Sequence, residues 1–212
     1  MNKILGIILC SLLLTSCFDI SEEISISKTG SGTYQVTMNL SQIKTMMEAL
    51  KTDSAKAAEG GVDSFHLGML KSLKETADKF RIIPGLQNVQ YSSNQSTGEY
   101  TVGFEFNNIT ALNTAMKEEG KKDKYIWQKG KFTILDIGIN PLTLGDGDVE
   151  NNEMTKTMMA DVKYNLKITV PSKVKKTSNA DAIVKRNTLV FNSTLGAIDK
   201  STDVIKMTIK YK

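Results

Sequence analysis

The sequence predicts an α+β fold built on antiparallel sheet, with helices inserted between β-hairpins. Several stretches alternate strictly between apolar and polar residues, which is typical of strands, and others carry apolar residues three to four apart, which is typical of helices. Glycine-rich and proline-containing segments separate the alternating stretches at hairpin spacing. The 212 residues suffice for one sizeable domain with its own core.

The chain opens with the pattern of a secretory signal peptide, which we predict over residues 1–16. Lys3 makes the start basic, and the apolar stretch 4–14 is far shorter than the ~20 residues that a spanning helix needs. Small residues then lead to Cys17. We therefore expect the mature protein to be a single α+β domain of residues 17–212.

The tetrapeptide Leu14-Thr15-Ser16-Cys17 resembles the lipobox of bacterial lipoproteins. The resemblance implies cleavage between Ser16 and Cys17, fatty acyl chains such as palmitate on Cys17, and a lipid-anchored place in the cell envelope. Phe18 stands where some inner-membrane lipoproteins carry an Asp, which favours the outer membrane. A secreted protein with a chance cysteine is the alternative. The pair Glu22-Glu23 also resembles the acidic export signals of some surface lipoproteins.

A β-hairpin is predicted directly after the cysteine, because apolar residues alternate on both sides of the glycine-rich turn 28–32. The alternating residues are Ile20, Ile24, Ile26, Tyr34, Val36, Met38 and Leu40. No Ser/Gly-rich tether intervenes, so the folded part is expected to sit close to the bilayer.

Two helices follow in the prediction. Ser41 is a good N-cap for a helix from about Gln42 to Ala58. A second helix is expected from about Asp63 to Phe80, ended by Pro84-Gly85. Its predicted core face consists of Leu67, Leu70, Leu73, Ala77 and Phe80.

The chain resembles itself at an offset of 66 residues, which suggests two strand-strand-helix units over 20–58 and 86–119. At this offset Tyr34 matches Tyr100, and the residues that cap each helix also match. Chance is the alternative, since any hairpin that leads into an amphipathic helix has this pattern.

The remaining predicted elements are strands separated by turns, with one short helix. They are 124–128, 131–139, a helix over about 149–160, and strands 164–170, 182–184, 188–192 and 204–211.

Both ends of this layout resemble the small bacterial lipoprotein domains known as LppM-like. The resemblance lies in a strand led by Tyr164 that runs into Pro171, in Asn179-Ala180 followed by a strand pair, and in a lipidated Cys17 followed by a hairpin. The chain is also similar to uncharacterised Bacteroidetes lipoproteins. The resemblance implies an envelope-anchored module, some relatives of which are associated with envelope lipids.

Composition excludes several classes of function. The net charge of +4 is mild and the lysines are scattered, so we expect no nucleic-acid partner. The two cysteines are Cys10, inside the signal, and Cys17, so no disulfide or thiolate chemistry is expected in the mature fold. No glycine-rich phosphate loop follows a strand, and we expect no cofactor.

No residue pattern predicts catalysis or a metal site. His66 is the only histidine and is interpreted as a partly exposed helix residue, which also makes zinc improbable. Asp146, Asp148, Glu150 and Glu153 could offer oxygens to calcium, yet the spacing lacks the expected Gly and Glu, and a helix start explains them more simply.

Three further groups have a functional and a simpler interpretation. Met46, Met47, Met154, Met158 and Met159 could line an adaptable groove but are more often core residues. Tyr125 and Trp127 could stack on a ligand but are more often a cross-strand pair. Two lysine clusters could touch anionic lipid headgroups but are more often solvated loops; they are Lys121, Lys122, Lys124 and Lys173, Lys175, Lys176.

The expected function is that of a non-enzymatic, lipid-anchored envelope module that contacts an envelope protein or acts structurally. The alternative is a carrier or sensor of a lipid or other apolar ligand, which would require an apolar cavity of several hundred Å³. An enzyme ranks third, because carboxylates such as Glu99 and Glu105 do not visibly converge.

Overall fold

The structure of the protein is a computed structural model, and it describes residues 19–45, 61–118, 126–129, 134–139, 160–201 and 205–211. Within these ranges residues 41–45 are helical, and the longer elements follow one another along the chain. They are β1 (Asp19–Ile26), β2 (Gly32–Asn39), α1 (Gly61–Arg81), β3 (Leu86–Asn94), β4 (Glu99–Phe106), α2 (Ile109–Glu118), β5 (Ile126–Lys129), β6 (Ile134–Ile139), β7 (Lys163–Thr169), β8 (Val174–Thr177), β9 (Ile183–Lys185), β10 (Thr188–Thr194), α3 (Leu195–Ser201) and β11 (Ile205–Tyr211).

Seven of these strands form one sheet in the order β3-β4-β2-β1-β7-β10-β9. Neighbours in the sheet are antiparallel, except that β1 and β7 run parallel. The other four strands form an antiparallel sheet in the order β5-β6-β11-β8. The predicted α+β class on mostly antiparallel sheet is confirmed.

One face of the seven-stranded sheet is apolar and buried, as the period-two pattern predicts. On β1, β2 and β4 the even-numbered residues point into the core, and on β7 the same holds for Tyr164, Leu166 and Ile168, each fully buried. Met207, Ile209 and Tyr211 of β11 belong to the same core cluster. The two sheets therefore share one core.

Helix α1 packs on β3 and β4 through one stripe of its surface. Leu73, Ala77 and Phe80 are buried there, and the Phe80 ring meets the Phe104 ring edge-on with centroids 4.9 Å apart. The prediction for Leu67 was wrong, because its side chain is 63% exposed. At ~100° per residue, Leu67 lies about 120° away from Leu73 around the helix, outside the buried stripe.

Ser41, predicted as an N-cap, is instead the first residue of the helical segment 41–45. Two other helix ends have clear capping or closing features. Asn108 Oδ1 accepts a hydrogen bond from the Ala111 amide at 2.8 Å and so caps the start of α2. Gly85, just after α1, has a φ of 92°, which a glycine adopts at little cost. Its carbonyl accepts the Asn107 amide at 2.9 Å, which joins the end of α1 to the end of β4.

The two proposed repeat units meet at the β2–β4 pair. Val36 pairs with Val102, its equivalent at the 66-residue offset, and the pairing is symmetric about this point. Tyr34 and Tyr100 are both buried, on the same face of the sheet. This geometry is compatible with a duplication, which stays a prediction.

Most strands lie where the alternation predicted them, within one or two residues of their predicted ends. The prediction missed β8, whose lysines were assigned to a loop, and the seven-residue helix α3. The described residues do not include most of the helix predicted over 42–58, the helix over 149–160 up to Ala160, or the first residues of the strands predicted at 124–128 and 131–139.

Candidate functional site

The second face of the seven-stranded sheet is polar, and it forms the candidate site. Between the buried residues of β1, β2 and β4 stand Ser, Thr, Gln and Glu side chains that are exposed or half-buried. Thr37 and Thr101 link two of these strands through a hydrogen bond of 3.0 Å between their hydroxyls.

The strand registers align a row of residues across this face. Gln90 of β3 pairs with Gly103 of β4, Gly103 with Gln35 of β2, Gln35 with Glu23 of β1, and Glu23 with Lys167 of β7. Lys167 Nζ donates to Glu23 Oε2 at 3.0 Å, and both side chains are about half exposed. The row therefore carries amides, a carboxylate and a cation on one accessible surface.

An open groove of about 470 Å³ runs over this row, and we call it the polar groove. Its lining includes Glu23, Gln35, Gln90, Ser92, Thr101, Gly103 and Glu105. Gly103 keeps its floor low: a Cβ at this position would come within 2.9 Å of the Tyr34 carbonyl oxygen. Any larger residue there would have to shift the backbone of β2.

A β-bulge shapes one wall of the polar groove. The register of β3 against β4 shifts between Gln87 and Gln90, and Asn88 adopts a φ of 49°. Asn is among the residues that tolerate this left-handed backbone, and Asn88 lines the groove. The bulge thus places an amide side chain at the edge of the site.

The groove carboxylates do not form a close pair. Glu23 and Glu105 lie two strands and two residues apart, about 12 Å between Cα atoms from ordinary strand spacings. Glu99 and Glu105, the pair considered from sequence, stand at opposite ends of β4, about 20 Å apart. The arrangement can donate and accept hydrogen bonds, but these carboxylates are too far apart to share a proton.

His66 has a structural partner. It is half-buried on α1, and its Nδ1 lies 3.0 Å from the Tyr100 hydroxyl, within hydrogen-bond distance. Burial raises the pKa of Tyr100 above its ordinary value. The cavity beside this pair has a volume of only about 10 Å³, too small for a substrate.

A buried polar pair joins β1 to β7. Glu22 is 1% exposed, and the Tyr164 hydroxyl donates to its Oε2 at 2.5 Å. Burial, followed by the nearby Glu22 carboxylate, raises the pKa of Tyr164 well above its ordinary value. In the folded domain only Glu23 of the predicted acidic signal is exposed. Sequence reasoning missed this pair, although Glu22 occupies a core position in the Ile20, Ile24, Ile26 series.

A second groove, of about 710 Å³, lies where β3, α1 and residues 41–45 meet. Gln95 Nε2 donates to Asp63 Oδ1 at 2.8 Å, and Lys44 Nζ donates to the Ser96 carbonyl at 3.1 Å. Both grooves are lined mainly by polar residues. Neither is the large apolar cavity that the carrier alternative requires.

Several predicted site residues lie outside the described residues, so their predictions stay open. They are Ser16 and Cys17, the methionines of the proposed apolar groove, the acidic residues 146–153, Tyr125, and Lys121, Lys122 and Lys124; Trp127 lies in β5, but the structure does not describe its side chain. Lys173, Lys175 and Lys176 are exposed, the last two on β8.

In the described ranges, no three His, Cys, Asp or Glu side chains group closely enough to hold a metal ion. Among the helices that the structure describes, none combines the length and apolar character that a membrane span needs.

Comparisons with known proteins give one structural similarity. No family model and no curated protein matches the sequence. The fold is similar to the NMR structure of the folded domain of LppM from Mycobacterium tuberculosis, with a TM-score of 0.48 and 12% identity over 93% of this chain and 91% of that one. This likeness concerns the fold alone, and the resemblances of the sequence to the lipobox, to LppM-like domains and to Bacteroidetes lipoproteins stay predictions.

Proposed function

We propose that this protein is a lipid-anchored module of the bacterial cell envelope, in the outer membrane where the cell has one, that acts by contact and not by catalysis. The lipid would be attached to Cys17, and the polar groove would be the contact surface for an envelope partner.

One observation supports this proposal above the others: β1 begins at Asp19, two residues after Cys17. β1 is an inner strand of the large sheet, hydrogen-bonded to β2 on one side and to β7 on the other. A chain that enters its fold so soon after the cysteine leaves no room for a flexible tether. This is the arrangement expected of a domain held directly at the membrane surface.

The polar groove supports contact with a partner. It is open, it carries donors and acceptors in a fixed register, and its two carboxylates are too far apart to act together as an acid–base pair. Interfaces that form and separate in water are commonly of this mixed polar kind.

The lipid anchor is tested by a pair of cysteine substitutions in cells. Cys17→Ala should move the protein from the membrane fraction or block its processing, because the lipid has no other attachment sulfur in the mature chain. Cys10→Ala is the matched control, since Cys10 leaves with the signal peptide, and its fractionation should equal that of the unmodified sequence. A Cys17→Ala protein that is still cleaved at its signal and still fractionates with the membrane would refute the proposal.

A further inference from the structure

β1 begins two residues after Cys17, so its place in the sheet bears on which end of the domain a lipid at Cys17 would bring to the membrane. We propose that the domain rests on the lipid bilayer through one end of its seven-stranded sheet, with the strands standing away from the membrane surface. This inference rests on the proposed lipid at Cys17 and adds to it the orientation of the domain.

The membrane-facing end follows from the strand registers. Asp19 pairs with Asn39, Asn39 with Glu99, and Glu99 with Asn94, while Asp19 also pairs with Lys163 on the other side. The segments that continue these strand ends therefore share one end of the sheet, which we call the Asp19 end. They are residues 41–45, the turn 95–98, residues 160–162 and Leu195.

The segment from Cys17 to Asp19 is short compared with the length of β1. Two residues span at most about 7 Å, so the Cα of Cys17 lies within that distance of the Cα of Asp19. β1 itself rises about 24 Å from Asp19 to Ile26. A lipid at Cys17 can therefore bring the Asp19 end to the headgroups. When the domain stands on the Asp19 end, the opposite end lies a strand length away from the membrane surface.

The described residues of the Asp19 end suit headgroups better than hydrocarbon. They include most of the lining of the second groove, Lys44, Asp63 and Ser93 to Ser96, together with Asp161 and Lys163, and they carry both signs of charge. None of the four large apolar side chains that are exposed in the described ranges belongs to its segments; these are Leu67, Ile82, Ile183 and Val184. The contact is thus set by the covalent anchor and by a polar end face.

The opposite end offers a competing arrangement. It presents the exposed cations Lys28, Lys173, Lys185 and Arg186. Backbone hydrogen bonds from the Val170 amide to the Asn187 carbonyl and from the Val174 amide to the Arg186 carbonyl hold two of the segments at this end together. Cations of this kind are attracted to anionic lipid. The two arrangements place different turns at the membrane, so an experiment can separate them.

The mature chain offers a clean way to label each end. Once Cys17 is acylated and the signal is removed, an introduced cysteine is the single free thiol. Ser96→Cys lies in the turn at the Asp19 end and Thr29→Cys in the turn at the opposite end, and both side chains are exposed. Each would carry a bimane fluorophore on the full lipidated protein, reconstituted in phosphatidylcholine vesicles with nitroxide on a fraction of the headgroups.

We expect at least threefold stronger quenching of the Ser96→Cys label than of the Thr29→Cys label, because contact quenching requires the label to reach the headgroup nitroxide and the two labels differ in height by about a strand length. The order should persist when anionic lipid is added. Equal quenching, or stronger quenching at Thr29→Cys with or without anionic lipid, would overturn the orientation.

Two controls keep the outcomes separate. Vesicles without nitroxide give the unquenched signal of each label, and equal thermal unfolding of both labelled proteins shows that neither substitution disturbs the fold. Flotation tests the anchor independently. A protein that does not float with the vesicles would refute the lipid anchor and the orientation with it, whereas a protein that floats without the expected order of quenching would refute the orientation alone.

Discussion

Strands β1 and β3 occupy corresponding positions on either side of the β2–β4 pair, yet their surroundings differ. β1 pairs with β2 over its whole length and with β7 from Asp19 to Ser25. Among the strands that the structure describes, β3 pairs with β4 alone and lies at the edge of the sheet, and it carries a bulge at Asn88. The first hairpin therefore contributes an inner strand and the second an edge strand.

Burial follows from this difference in pairing. Ile20, Ile24 and Ile26 of β1 are at most 3% exposed, whereas Val89 and Tyr91 of β3 are half-buried. The described chain therefore begins in a well-buried inner strand, and Glu23 on the outer face of that strand still lines the polar groove. We expect truncation of the β1 core to cost more stability than truncation of β3.

The largest expected effect comes from truncating the core of β1. Ile24→Ala should lower the free energy of unfolding by about 2–5 kcal/mol, because it opens a cavity among fully buried neighbours. Val89→Ala on β3 should cost about 1 kcal/mol or less, since its site is already partly solvated. Urea unfolding followed by circular dichroism measures both, and equal costs would break the comparison between the strands.

A smaller effect is expected from the buried polar pair. Tyr164→Phe removes a hydrogen bond to the Glu22 carboxyl in the core and should cost about 1.5–3 kcal/mol. Tyr91→Phe on β3 is the matched control: it keeps the ring, over which the Arg81 guanidinium lies 5.9 Å from the centroid, and should cost well under 1 kcal/mol. If the two substitutions cost the same, the Glu22–Tyr164 bond does not stabilise the fold.

The smallest expected effect is the fall in the free energy of unfolding that Tyr164 causes at alkaline pH. The pKa of Tyr164 is raised in the folded state, so above about pH 10 an unfolded tyrosine ionises while Tyr164 stays protonated. The unfolded state then binds fewer protons, and the free energy of unfolding should fall by at most ~1.4 kcal/mol per pH unit for this group. Unfolding curves between pH 9 and about 11 should show a shallower fall in Tyr164→Phe; an equal slope would contradict this assignment.

Local patterns sufficed for most elements of the fold. The isoleucines of β1 and the glycine-rich turn after it predict a hairpin from neighbouring residues alone, and the structure has it. The apolar spacing of α2 likewise predicts a helix there, although its cap, Asn108, lies one residue past Asn107, which the 66-residue offset matches to Ser41.

Pairing between distant segments could not be predicted in this way. The parallel contact of β1 with β7 joins Asp19 to Lys163, and no local period specifies it. The burial of Glu22 depends on that contact, since its partner Tyr164 comes from β7. Leu67 shows the opposite error: its apolar type suggested a core position, but its angle around α1 exposes it.

The candidate site could not be predicted from the sequence either, because it too depends on pairing between distant segments. Glu23, Gln35 and Gln90 are ordinary polar residues on three strands, and only the register brings them into one row. The residues around Gly103 do not indicate that it forms the groove floor, because the need for glycine there comes from the Tyr34 carbonyl of the neighbouring strand.

The most direct test of the lipid anchor is the mass of the amino-terminal peptide of the mature protein, extracted in detergent from its native membrane. We predict that this peptide begins at Cys17 and carries a diacylglyceryl group on the sulfur, with or without an additional amide-linked acyl chain. A free thiol at Cys17, or uncut residues ahead of it, would contradict both the anchor and the orientation derived from it.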